Sequence, residues 1–104
     1  MIIYNITYSI DPEIETEWLE WMKEVFLEKI KSTNLVCGLK ILKLLTEIES
    51  EGINYSFQLE FDRTDHLATF EELYQQVLEG EHHKQFEGKY VSFRTLLKEV
   101  HTVF

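Results

Sequence analysis

Residues 1–31 read MIIYNITYSIDPEIETEWLEWMKEVFLEKIK, and their hydrophobic period changes once, at Asp11-Pro12. Before that pair, Ile2, Tyr4, Ile6, Tyr8 and Ile10 occupy every second position, the pattern of a strand with one buried face. After it, Ile14, Trp18, Trp21, Met22 and Val25 recur at helical spacing, which predicts a helix from Pro12 to about Lys31. Asp11 offers a side-chain acceptor to the free N–H groups of the first turn. Pro12 has the fixed φ and the missing N–H that this turn tolerates. The outer face carries Glu13, Glu17, Glu20, Glu24 and Glu28 and reads as a solvated acidic surface, although a basic partner could dock there.

Ser32-Thr33-Asn34 breaks the helical period, and an apolar run from Leu35 to Ile48 predicts a second strand. Leu35, Leu39, Ile41 and Leu45 share one face of it; Val36, Leu42, Leu44 and Ile48 share the other. A sheet covered by helices on one side needs only one apolar face. The second face therefore predicts a partner subunit. Glu49-Ser50-Glu51-Gly52 is a turn signal, and Ile53 to Phe61 alternates cleanly, with Tyr55, Phe57, Leu59 and Phe61 on one side. A second helix starts near Thr64 or Asp65, either of which can cap it. Its stripe is Leu67, Phe70, Tyr74, Val77 and Leu78, continuing past Gly80 through His82 and Phe86. Gly88 ends the helix, and a fourth strand runs from Lys89 to about Val100.

The order β-α-β-β-α-β, with right-handed crossovers and both helices on one face, predicts a ferredoxin-like α+β fold. Its antiparallel sheet has strand order 4-1-3-2, and one domain spans 1–104. The sheet face left bare predicts a homodimer of facing sheets.

Nineteen acidic residues against ten basic ones give a formal charge of −9, which repels phosphate backbones and anionic lipid. Nucleic-acid and membrane partners are therefore not expected. No apolar run approaches the roughly 20 residues needed to span a bilayer. Met1 leads straight into a strand without a basic n-region, so a cytoplasmic location is expected. Cys37, the only cysteine, sits in an apolar run and is expected to be a small buried hydrophobe.

Tyr4-Asn5-Ile6-Thr7, Asp11-Pro12-Glu13-Ile14-Glu15 and Trp18-Leu19-Glu20-Trp21-Met22-Lys23-Glu24 resemble the start of a short bacterial family known as a domain of unknown function. Glu81-His82 and the run from Phe86-Glu87-Gly88-Lys89-Tyr90 to Leu97 resemble its end. The resemblance implies the dimeric α+β barrel variety of the ferredoxin-like fold, with no established reaction, cofactor or catalytic residue. That wider class includes cofactor-free monooxygenases, haem-handling enzymes and ligand-sensing modules. Here both tryptophans lie on the first helix, a departure from the quinol monooxygenase pattern.

His82 is the leading candidate for chemistry. One turn before Phe86 on an apolar stripe, it faces the sheet as a general acid or base, a ligand contact, or a satisfied core histidine. Tyr4, Tyr8 and Trp18 are candidates for an apolar ligand pocket between helix and sheet, with ordinary core packing as the alternative. Asn5 and Arg94 are expected on the open sheet face with Thr7, Gln58, Glu60 and Ser92, either binding a ligand or fixing the dimer register. That placement assumes that Phe93 faces the helices. Glu79, His83 and Glu87 stand four residues apart, yet no metal site and no cofactor are expected. The reading is a homodimeric binding or regulatory module. The alternative is a cofactor-independent, monooxygenase-like enzyme acting on a small apolar or aromatic compound, with His82 as acid or base.

Overall fold

The computed structural model describes residues 1–46 and 52–103. Four antiparallel strands, β1 (Ile2–Ile10), β2 (Gly38–Lys43), β3 (Ile53–Phe61) and β4 (Tyr90–Lys98), form one sheet in the order β2-β3-β1-β4. This is 4-1-3-2 read from the other edge. Helices cover one face. Central β1 pairs Tyr4 with Leu59, Ile6 with Phe57 and Tyr8 with Tyr55, so both strands turn these side chains into the core.

The Asp11 carboxylate accepts the Glu13 N–H at 2.9 Å and starts a continuous helical stretch. It consists of a 3-10 turn (Pro12–Ile14), α1 (Glu15–Trp21), a π-helical segment (Met22–Phe26) and α2 (Leu27–Lys31). Trp18, Met22, Phe26 and Ile30 are its buried side chains, spaced by four throughout. On a regular α-helix such a row drifts about 40° per step. The wider π-helical turn takes up that drift and keeps the row on the sheet. Phe26 is thus buried where the stripe had named Val25, which is half-buried.

Several expectations are corrected. β2 is shorter than 35–48; Ile48 and Glu49-Ser50-Glu51 of the expected turn lie outside the described residues. Leu39 and Ile41 still pack on the core, while Leu42 and Leu44 are exposed. Cys37 is exposed, because it precedes β2 at the sheet margin, where its thiol donates to the Glu60 carbonyl at 3.3 Å. The second helix is two: α3 (Thr64–Leu73) and α4 (Gln75–Phe86). Tyr74 breaks it (φ −121°), whereas Gly80 stays helical. The break resets the helical phase, so Val77 points to solvent while Leu78, His82 and Phe86 are buried. Arg63 occupies the cap position of α3, and Asp65 pairs with it at 2.9 Å rather than capping.

A tight turn joins α4 to β4. Lys89 N–H donates to the Phe86 carbonyl at 3.0 Å, with Glu87 at φ −49°, ψ 130° and Gly88 at φ 77°. This is a type II turn, whose third position favours glycine. It sets the phase of β4 opposite to expectation. Ile6 pairs with Arg94 and Thr7 with Phe93, so Tyr90, Ser92, Arg94 and Leu96 share the helix-covered face. Val91, Phe93, Thr95 and Leu97 share the open face. Tyr90 and Phe93 have opposite parity, and Tyr90 wins the inner side by packing edge-on to His82 at 4.4 Å.

Candidate functional site: a cavity between α4 and the sheet edge

Three elements leave a cavity of about 210 Å³ between them. β1 supplies Ile6 and Tyr8, two residues apart on one face; α4 supplies Glu79 and His82, three apart on one face; β4 supplies Tyr90, Ser92, Phe93 and Arg94. The space exists because β4 is an edge strand that the helices do not fully cover.

His82 is 2% exposed, and its Nε2 accepts the indole N–H of Trp18 at 2.9 Å. That bond places the imidazole proton on Nδ1. Tyr8 lies 4.7 Å and Phe86 5.3 Å from the ring, centroid to centroid. Burial, helped by the neighbouring His83, pushes the His82 pKa down to about 4. The ring is therefore neutral near pH 7, its basic nitrogen is occupied, and it offers the cavity an N–H donor. A general base works best with a pKa near the operating pH; His82 is far below that.

Arg94 donates from Nη1 to the Tyr4 hydroxyl at 3.3 Å, and its Nε lies 3.5 Å from Oε1 of Glu79. Burial pushes the Tyr4 phenol up to about 12, with Arg94 partly opposing the shift. Burial also raises Tyr8 well above an ordinary tyrosine, so its hydroxyl keeps its proton. Among the described residues the hydroxyls of Tyr8 and Ser92 have no hydrogen-bond partner.

Of the residues singled out from sequence, His82 and Arg94 line this cavity and Tyr4 supports Arg94 from behind. Trp18 is fully buried behind His82 and orients it without lining the space. Asn5 is elsewhere. It lies on the open face, donating to Thr7 Oγ1 at 3.2 Å and accepting from the Ser56 hydroxyl, which in turn accepts from Gln58 Nε2 at 3.2 Å. Glu79, Tyr90 and Ser92 were not expected at the site. Glu79 could have been found three residues before His82, and Ser92 by assigning Tyr90 inward. No cluster of three metal-ligating side chains occurs among the described residues. His83 pairs with the Tyr90 hydroxyl at 2.8 Å. On the open face, a groove of about 470 Å³ runs between Leu42, Leu44 and Phe93, floored by Thr7, Ser56 and Gln58.

A family model described as a domain of unknown function, DUF4286, matches residues 1–100. The chain belongs to the DUF4286 family. A comparison with curated proteins finds no match. HapK from Hahella chejuensis has a similar structure, with a TM-score of 0.71 at 8% identity, covering 100% of the DUF4286 chain and 97% of HapK. A dimeric ferredoxin-like protein from an uncultured marine organism is similar with a TM-score of 0.63 at 18% identity, over 97% of each chain. An antibiotic biosynthesis monooxygenase gives 0.63 at 16% identity, over 96% of this chain and 99% of its own. These likenesses establish the ferredoxin-like fold of the DUF4286 chain. No helix among the described residues is long and apolar enough to cross a membrane.

Proposed function

We propose that this protein is a cytoplasmic homodimeric binding module that holds a small aromatic or apolar compound in the cavity between α4, β1 and β4. The observation that carries the reading is the state of His82. It stands at the wall of an aromatic-sided space with its basic nitrogen engaged by Trp18, which suits recognition better than proton abstraction. Dimerisation through the open sheet face is supported by Leu42, Val91, Phe93 and Leu97, all exposed there, and by the dimeric description of one similar structure. The Asn5-Ser56-Gln58 network then fixes the register of the two sheets.

A thermal-shift screen of one-ring aromatic compounds tests the ligand reading. Hits whose stabilisation is lost in His82→Ala support it; hits that bind equally to the variant place the ligand elsewhere. A cofactor-independent, monooxygenase-like enzyme is the second reading, favoured by the position of His82 at the cavity wall. Conversion of a hit to product, followed by mass spectrometry, would establish it over simple binding.

A further inference from the structure

We infer that the ligand of this cavity is a small aromatic acid, whose carboxylate takes Arg94 away from Glu79. The inference rests on the cavity being a ligand site, as proposed above.

The polar groups around the cavity are unevenly matched. Tyr8 and Ser92 supply hydroxyls, His82 supplies Nδ1–H, and Arg94 supplies a guanidinium; Glu79 is the one carboxylate among the lining residues. Such a wall calls for a ligand rich in acceptors. Arg94 is also poorly satisfied. Its two contacts, at 3.3 and 3.5 Å, are longer than the roughly 2.7–2.9 Å of a good charge-assisted bond, and neither is bidentate. A guanidinium has about five N–H donors in a planar fork, which a carboxylate fills in pairs.

Glu79 holds the guanidinium only loosely. Both side chains are 46% exposed, so Glu79 can turn to water at little cost once another carboxylate arrives. The volume of about 210 Å³ lies below the roughly 300–1,000 Å³ of drug-sized sites, which leaves room for one ring and its substituent. Tyr8, His82 and Tyr90 supply the aromatic part of the lining for that ring. A cationic ligand would instead meet the charge of Arg94 and find one carboxylate.

Benzoate, benzamide and benzylammonium serve as probes of one shape and three charges. Their binding is followed in 1H–15N spectra through the Trp18 indole N–H, which bonds directly to His82. Benzoate is expected to bind at least about tenfold more tightly than either analogue, and Arg94→Met is expected to abolish that preference. Glu79→Gln, at a solvent-facing position that does not endanger folding, is expected to tighten benzoate several-fold by removing its competitor. Dispersed amide spectra show that each variant is folded. If benzamide or benzylammonium binds as well as benzoate, or if Glu79→Gln weakens benzoate, the cavity remains a ligand site and the acid assignment is overturned. If none of the three moves the Trp18 indole at millimolar concentration, the cavity reading fails and the assignment falls with it.

Discussion

Trp18 and His82 are 64 residues apart in sequence and joined by one hydrogen bond. Each was legible alone, as a member of a buried stripe, but no local pattern says that two stripes meet at these positions. The imidazole tautomer follows from the meeting and so was invisible. Its consequence for stability has a definite sign. In the unfolded chain His82 titrates near its ordinary value of about 6.5, and in the folded protein near about 4. Above the higher value both states are neutral. Between the two, the unfolded state takes up a proton that the folded state refuses, so stability falls as the pH drops. We expect this residue to account for a loss of about 2 kcal/mol between about pH 7.5 and pH 5. Urea denaturation of wild type and His82→Phe at both pH values measures it, and the variant should lack that part of the slope. Trp18→Phe removes the indole donor. It should destabilise the fold by at least about 1–2 kcal/mol, and raise the His82 pKa because nothing then holds the neutral form at Nε2. An NMR titration of the His82 ring protons reads that shift directly.

The strands differ in how much of them could be read. β1 and β3 alternate strictly, and their inward faces were evident. β4 carries apolar residues of both parities, Tyr90 and Leu96 against Val91, Phe93 and Leu97, so alternation cannot choose between its faces. The choice is made outside the strand, by the turn at Gly88 and the seat of Tyr90 on His82. The cavity was half-legible for this reason: His82 was expected to face the sheet and does, whereas the side taken by Arg94 hung on the phase of β4, which the strand's own pattern leaves open. Similarly, the helix break at Tyr74 has no glycine or proline to announce it, whereas Gly80, which looks like a break, meets no obstacle to remaining helical. Gly88→Ala should lower stability by about 1 kcal/mol, since alanine resists φ 77°. It should also loosen the cavity, because the turn delivers Tyr90, Ser92 and Arg94 to it. Weaker binding of any cavity ligand, measured beside the urea midpoint, checks both effects.

At the scale of the whole molecule, one sheet face is roofed by helices and the other is bare, with Phe93 63% exposed on the edge strand β4. We expect a dimer in sedimentation experiments at micromolar concentration, and a monomer for Phe93→Glu, which would bring a charge into a dry interface. A wild-type monomer at that concentration would remove the facing-sheet dimer. Phe93 has a further property: it borders both the cavity beside α4 and the groove on the open face. A ligand that presses on its backbone shifts the ring offered to the second subunit across the sheet, and the second subunit alters the wall offered to the ligand. Two equilibria that share a residue in this way are linked, and the linkage is reciprocal: each shifts the other by the same factor. Apparent ligand affinity should then change as the protein is diluted through its dimer dissociation constant, a dependence that an isolated pocket in a monomer cannot show.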